Sequence, residues 1–167
     1  SYTEGAVYKQ EHMDLMEFVS AQVAMAIERK IDQQRINDAL EFNETLIASS
    51  TLGICAYDAS GQCILANESI TRILDITREK ILGENYYQIE TWKKTGLLES
   101  AIEAVISGKE TRREIHLPNN SGKEIWLDCR FSSFYSNGVP NLLLSVDDIS
   151  ISKQAELNLK VYASKLE

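Results

Sequence analysis

The chain has 167 residues, of which 44% are hydrophobic and 25% are charged, an ordinary composition for a soluble globular domain with extensions. Its net charge is −8 and no segment concentrates basic residues, which argues against a surface for nucleic acid or for an anionic membrane. No apolar run reaches the ~20 residues that span a bilayer. We therefore expect a cytoplasmic piece of a longer protein, with no nucleic-acid partner and no membrane contact.

The first third of the chain is predicted to be helical. Residues 10–52 contain neither Pro nor Gly, and apolar residues recur there at steps of three and four. After a polar stretch at residues 32–35, the stripe resumes with the alternating spacing of a coiled-coil seam. The seam residues are Ile36, Leu40, Asn43 and Ile47. Because the two stripes are out of heptad phase, the pattern predicts either one long helix or two in series.

Strand signals replace the helical period after residue 51. Residues 53–58 and 62–66 are predicted strands, joined by a tight turn at residues 59–61. Asn67 is placed to cap a short helix. Residues 91–107 then show the apolar spacing of one longer helix, which Gly108 is expected to end.

The last third alternates between apolar and polar residues, which predicts three strands at 111–117, 124–134 and 142–149. Asn137-Gly138 marks a hairpin turn between the second and the third. In the first strand, Arg113 shares the apolar side with Ile115 and Leu117. Buried arginines are rare unless paired, so Arg113 is expected either to form a salt bridge in the core or to meet an anionic ligand.

From residue 150 the helical period returns and still runs at the end of the chain, with a seam at Ala155, Leu159 and Tyr162. The complete order is a helix, two strands, several short helices, one longer helix, three strands and a helix. This order predicts the α+β class: a five-stranded mixed antiparallel sheet with helices on one face. Long N-terminal and C-terminal coiled-coil helices would flank it.

Four stretches, in the correct order and spacing, carry a resemblance to a known family. Residues 64–69 and 73–83 resemble the second strand and the following segment of sensory-box PAS domains. Residues 119–127 are similar to the glycine hairpin of that family, and residues 148–150 resemble its Asp-x-Thr/Ser signature. The resemblance implies a signalling helix at 1–46, a PAS domain at 47–150 and a truncated signalling helix at 151–167.

A second resemblance lies upstream, where residues 11–28 are similar to the closing helix of GAF domains. Helices that join GAF, PAS and kinase modules form parallel two-stranded coiled coils in homodimers. The resemblance therefore implies a homodimer through both flanking helices, with the two seams as its contacts.

The functional expectation also comes from the resemblance. It implies a sensory and relay module of a signal-transduction protein, of the sensor histidine kinase type in a two-component system. A ligand or an upstream signal would be coupled through the helices to an output domain downstream in the same chain. Asp148, Ile149 and Ser150 would transmit this signal. A ligand-free dimerisation and spacer module is one alternative, and a haem- or flavin-binding sensor is another; the ligand itself stays open.

The candidate pocket for a small-molecule ligand consists of Tyr57, Trp92, Leu98, Ile102, Arg113, Ile115, Leu127 and Leu144. The sequence offers no nucleophile–base set, no phosphate-binding glycine loop and no cluster with metal-ligand spacing. We therefore expect no catalytic residue, no metal site and no enzymatic activity of this fragment, and the sequence requires no cofactor.

The histidine and cysteine positions bear on the chromophore alternative. His116 alternates with polar residues on the expected wet face of its strand, which disfavours haem ligation there. Cys55, Cys63 and Cys129 fall on predicted strands, whereas flavin photochemistry in this family uses a helical cysteine. We expect these three to be reduced and buried.

Overall fold

The computed structural model describes residues 2–166, in which helices and strands follow one another broadly as predicted. A short 3₁₀ helix, Tyr86–Gln88, lies between the third and fourth α-helices. The other elements are α1 (Tyr2–Ser49), β1 (Gly53–Tyr57), β2 (Cys63–Ala66), α2 (Glu68–Leu74), α3 (Arg78–Leu82), α4 (Glu90–Thr95), α5 (Leu97–Ser107), β3 (Thr111–Pro118), β4 (Glu124–Ser136), β5 (Val139–Asp148) and α6 (Ser150–Lys165).

Helix α1 is one continuous helix of 48 residues, so the long-helix alternative is correct. A compact unit ends within it at Leu46, and a second unit begins at Ile47. None of the α1 side chains is buried within the described chain. Glutamine amides at three positions donate hydrogen bonds to the side chain four residues ahead. Such pairs stabilise the turns of an exposed helix. Within residues 2–166, no helix combines the length and the apolar character needed to cross a membrane.

The second unit is built on a five-stranded sheet with the order β2-β1-β5-β4-β3. Every pairing between these strands is antiparallel, which confirms the α+β fold class and makes the sheet antiparallel throughout. The β4–β5 hairpin closes through Asn137 and Gly138, whose φ angles are +51° and +76°. Two consecutive positive φ angles are typical of the type I′ turn, which matches the twist of the flanking strands.

The hydrophobic core lies on one face of this sheet, under the short helices. Alternate residues of the strands point inward and meet buried side chains from α2, α3, α4 and α5. The most deeply buried large side chains are Phe131, Ile70, Ile125 and Leu142.

The predicted helix over 91–107 is corrected by the structure, which has two helices there. Helix α4 ends at Thr95 and α5 begins at Leu97, because Gly96 adopts a left-handed φ of +80°. A Cβ atom at Gly96 would lie 2.7 Å from Nη1 of Arg113, so the break also makes room for that guanidinium. Gly108 ends α5 as predicted.

Candidate functional site

A cavity of about 260 Å³ lies between the inner face of the sheet and the short helices. Five residues of the predicted pocket line it: Tyr57, Trp92, Ile115, Leu127 and Leu144. They come from β1, α4, β3, β4 and β5, so the alternation of the strands correctly assigned four of them to the inward face.

Leu98, Ile102 and Arg113 lie outside the cavity lining, and their prediction as pocket residues is corrected. The break at Gly96 sets the orientation of α5 separately from α4, and Leu98 and Ile102 are only half-buried on it. Arg113 is exposed, and its Nε donates a hydrogen bond to Ser100 Oγ at 3.0 Å. Neither the core salt bridge nor the anionic ligand predicted for Arg113 is therefore supported.

The structure adds polar residues that the sequence patterns did not reveal. Glu84, Thr91, Asn119 and Asn120 line the cavity, and all except Thr91 lie outside the helices and strands. Burial raises the pKa of the Glu84 carboxyl, and the positive charge of Lys80 opposes this increase. Glu84 occupies a segment with no apolar period, so no pattern in the sequence pointed to it.

Four aromatic rings form a cluster beside the cavity. The Trp92 ring lies 5.5 Å from Tyr57, 5.5 Å from Tyr86 and 5.6 Å from Phe131, measured between ring centroids. Edge and stacked contacts of this kind add to the free energy gained from burial. Since Trp92 has aromatic neighbours from several elements, its ring is held in a defined position.

The three cysteines are buried and unpaired. Cys55 and Cys129 line the cavity from β1 and β4. Burial raises the pKa of the Cys129 thiol to about 12, so this thiol stays protonated at neutral pH. The hydrogen bond with Cys63, together with burial, also raises the pKa of Cys55. A protonated thiol is a poor nucleophile, which makes these side chains inert parts of the wall.

The C-terminal junction, which we define as Trp126 and residues 148–153, brings together the three predicted transmission residues. Asp148 Oδ1 accepts hydrogen bonds from the backbone N–H of Ser150 at 3.0 Å and from its hydroxyl. The Ser150 hydroxyl in turn accepts a hydrogen bond from the Trp126 N–H at 2.9 Å. The Ile149 N–H donates to the Trp126 carbonyl, also at 2.9 Å. The Ser150 hydroxyl thus connects the start of α6 to strand β4.

Side chains on the outer face of the sheet also contact the start of α6. The Lys153 ammonium lies 2.9 Å from a Glu114 carboxylate oxygen and 5.5 Å from the centroid of the Trp126 ring. His116 stacks on Trp126 with a ring-centroid separation of 4.4 Å, and its Nε2 lies 2.9 Å from Glu124. His116 is thus on the outer face, as expected, and does not line the cavity.

The N-terminal junction, which we define as residues 47–54 and 67–70, is organised by Asn67. Its Oδ1 accepts hydrogen bonds from the N–H groups of Ile54 and Ile70, at 2.9 and 3.1 Å. Its Nδ2 donates to the carbonyls of Ile47 and Leu52, at 3.0 and 2.9 Å. The predicted cap of α2 is confirmed, and the same side chain also fixes the last turn of α1 to the domain.

The predicted seam residues are accessible in the single chain. Leu40 and Ile36 are exposed on α1, and Leu159 and Tyr162 are exposed on α6. Asn43 and Ala155 are exposed as well, whereas Ile47 is half-buried. Contacts of these residues with a second copy stay a prediction.

Comparisons with known proteins place the second unit in a family. The family model described as the PAS domain matches residues 51–150. A PAS domain from a two-component sensor histidine kinase superposes with a TM-score of 0.55 at 13% identity, covering 67% of this chain and 97% of that chain. A domain of the sensory box sensor histidine kinase/response regulator from Geobacter sulfurreducens superposes with a TM-score of 0.56 at 17% identity, covering 68% of this chain and 96% of that chain. A PAS domain of an HTR-like protein from Haloarcula marismortui superposes with a TM-score of 0.58 at 18% identity, covering 72% of this chain and 99% of that chain.

A search of the curated proteins finds no match to this chain. The solved structures are distant in sequence, and their likeness concerns the fold alone. The family-model match begins at residue 51, so the GAF-like character of residues 11–28 stays a prediction. The match covers well over half of the chain and includes the cavity and the C-terminal junction as far as Ser150. The chain belongs to the PAS domain family.

Proposed function

We propose that this chain is the sensory and relay module of a sensor histidine kinase, coupling a cavity ligand or an upstream signal to an output domain beyond α6. The observation that carries this proposal is the hydroxyl of Ser150, which bridges Asp148 and the Trp126 N–H. Leu127, the next residue after Trp126, lines the cavity. A change in the cavity wall can therefore reach the start of α6 through one covalent step and one hydrogen bond.

Strand β5 provides a second connection between the same two places. Leu144 and Val146 line the cavity, and the strand continues directly to Asp148 and α6. Such a relay needs two arrangements of α6 that differ by a few kcal/mol, with a ligand that binds one of them better. The proposal rests on the continuity of β5 from the cavity to α6. Energetic coupling is a separate quantity, which hydrogen exchange at α6 in the presence of a ligand measures.

The proposal includes a homodimer held by the flanking helices. Leu159 and Tyr162 are 70% and 67% exposed on α6, and a run of exposed apolar side chains along a helix is typical of a protein–protein contact. In water these side chains gain free energy when a second copy covers them.

Leu159→Glu tests the dimer. We expect the parent chain to be a dimer in native mass spectrometry and Leu159→Glu to be a monomer at the same concentration, because a charge would be buried in the seam. Leu157→Glu is the matched control, since Leu157 is exposed on the same helix but lies off the seam. A dimeric Leu159→Glu, or an equal loss of dimer with Leu157→Glu, would refute the proposed interface.

The same spectra separate the alternatives. A retained small molecule would add a reproducible mass to the dimer and support ligand sensing. A dimer that stays free of any adduct and whose α6 amides exchange at the same rate with every ligand offered would support the spacer alternative. Haem or flavin would add its own mass and visible absorption.

A further inference from the structure

The charge of the cavity wall restricts which ligands it accepts. Glu84 is the one charged residue among the described residues that line the cavity, and the others are apolar or neutral. The described lining contains no Lys, Arg or His. An anionic ligand would lose its hydration on entering the cavity, would find no positive charge there and would face a carboxylate. The wall therefore selects against anions.

The Glu84 carboxylate has no cation of its own. Among residues 2–166, no side chain forms an ion pair or a hydrogen bond with it, and Lys80, the cation whose charge lowers its pKa, is exposed. Burial raises the pKa of Glu84. The pKa of Cys55 is raised mainly by its hydrogen bond with Cys63 and that of Tyr57 mainly by burial; the charge of Glu84 adds the smallest increase to each, so its field reaches the cavity wall weakly.

The groups around Glu84 leave its charge largely unbalanced. Lys80 is the cation that lowers its pKa, while the thiols of Cys55 and Cys63 and the phenol of Tyr57 are the other titratable groups within its field. These three are neutral in their protonated forms. The Glu84 side chain is half-buried and its oxygens are still reached by water, and a carboxylate in a cavity wall without an ion-pair partner is a candidate counter-ion for a ligand.

Aromatic rings provide the second half of the site. Tyr57 and Trp92 both line the cavity, and their ring centroids are 5.5 Å apart. The faces of Trp and Tyr rings attract ammonium groups, and pairing such rings with a carboxylate is a general way of binding organic cations. The volume of about 260 Å³ is below the range of about 300–1,000 Å³ that holds drug-sized molecules, which favours a small ligand.

We propose that the cavity binds a small organic ammonium compound, with Glu84 as its counter-ion and Tyr57 and Trp92 as its aromatic wall. This inference rests on the proposed ligand-sensing function and specifies the chemical class of the ligand. The apolar part of the ligand would contact the inner face of the sheet, and the ammonium group would approach the carboxylate.

The test uses three probes of one shape and different charge: benzylamine, benzyl alcohol and benzoate. Binding to the full chain is followed by NMR chemical-shift titration, which also measures millimolar affinities. We expect benzylamine to bind at least about tenfold more tightly than benzyl alcohol, and benzoate to bind most weakly. Equal affinities for benzylamine and benzyl alcohol, or no binding of benzylamine, would overturn the proposal.

Glu84→Gln keeps the shape of the side chain and removes its charge. We expect this variant to lose the preference for benzylamine while keeping its affinity for benzyl alcohol. Glu79→Gln is the matched control, because Glu79 is exposed on α3 and does not line the cavity. A preference for benzylamine that survives in Glu84→Gln would refute the role of this carboxylate.

A parallel measurement separates this inference from the relay proposal. Hydrogen exchange of the α6 amides is recorded with and without saturating benzylamine. Glu84-dependent binding with unchanged α6 exchange would leave the ligand class standing and count against the relay. Changed α6 exchange with benzyl alcohol alone would support the relay and overturn the cation preference.

Discussion

The two junctions of the PAS domain hold their helices in different ways. At the N-terminal junction, Asn67 is 5% exposed and makes its hydrogen bonds inside the protein. At the C-terminal junction, Asp148 is exposed and Ser150 is half-buried. A buried hydrogen bond that breaks leaves polar groups without partners, whereas water can replace an exposed one. The end of α1 is therefore fixed firmly to the domain, and the start of α6 is fixed weakly.

Under the proposed relay, this difference would give the two ends separate roles. A relay needs one element whose arrangement can change at a cost of a few kcal/mol, and it needs a fixed reference against which that element moves. In the proposed relay, the hydrogen bonds of Ser150 would meet the first requirement, and those of Asn67 would meet the second. We expect a signal to appear first as a change at α6, while the last turn of α1 stays attached.

The largest effect should follow from Asn67→Ala. This change leaves the N–H of Ile54 and the carbonyls of Ile47 and Leu52 without their partner, around a side chain that is only 5% exposed. We expect the free energy of unfolding to fall by about 2–4 kcal/mol, measured by urea denaturation.

Asn85→Ala is the matched control for Asn67→Ala. Asn85 also caps a helix with its side chain, but its hydrogen bonds to Tyr87 and Ser60 are exposed. We expect its removal to cost about 1 kcal/mol or less. If the two substitutions lower the free energy of unfolding equally, burial does not make the hydrogen bonds of Asn67 more stabilising than exposed ones. The comparison between the junctions would then be wrong.

A smaller effect should follow from Ser150→Ala. The variant loses the acceptor of the Trp126 N–H and the donor to Asp148, and water reaches both groups more easily than at Asn67. We expect a loss of about 0.5–1.5 kcal/mol in the free energy of unfolding. Hydrogen exchange at the first turn of α6 should become faster by about tenfold, because the local opening is what the hydroxyl opposes.

Two further variants sharpen this result. Ser150→Thr keeps the hydroxyl and should keep the slow exchange. Ser152→Ala removes an exposed hydroxyl two residues further along α6 and should leave both measurements unchanged. Unchanged exchange in Ser150→Ala would remove the hydroxyl from the proposed connection between β4 and α6.

Local patterns in the sequence predicted most of the fold, because the last three strands alternate between apolar and polar residues and several short helices have a signal at their start or end. Asn67 and Gly108 were assigned correctly on this basis. Gly96 was not, since a single glycine inside a helical period is tolerated, and the period alone does not show where a helix breaks. A helix that continued through Gly96 would point Leu98 and Ile102 in other directions than α5 does, and these two residues do not line the cavity.

The parts of the site that escaped prediction depend on contacts between distant residues. Arg113 does lie on the inward side of β3, opposite buried Cys129, but β3 is the edge strand and its guanidinium reaches the end of α5 at Ser100. Glu84 borders the cavity only because the segment after α3 returns to the sheet. Alternation identifies the face of a residue, and it says nothing about what covers that face.

The smallest effect should follow from Lys153→Gln at the C-terminal junction. Lys153 joins α6 to β3 through Glu114 and contacts the Trp126 ring, and the hydrogen bond with Glu114 raises its pKa. Because this pair is accessible to solvent, we expect only about a two- to threefold increase in the exchange rate at the start of α6. The increase should shrink in 1 M salt, where the Debye length is about 3 Å.

Lys160→Gln separates attachment to the sheet from support of the helix itself. Lys160 pairs with Glu156 on the same helix at 2.7 Å and makes no ion pair with the sheet among the described residues. We expect this variant to leave the exchange at the first turn of α6 unchanged. If Lys153→Gln and Lys160→Gln act alike, the ion pair with Glu114 does not hold α6, and the contacts of Ile149 and Ser150 with Trp126 connect the helix to the sheet. If Lys153→Gln exceeds Ser150→Ala, charge rather than the backbone contact dominates the junction, and the relay would weaken with rising salt.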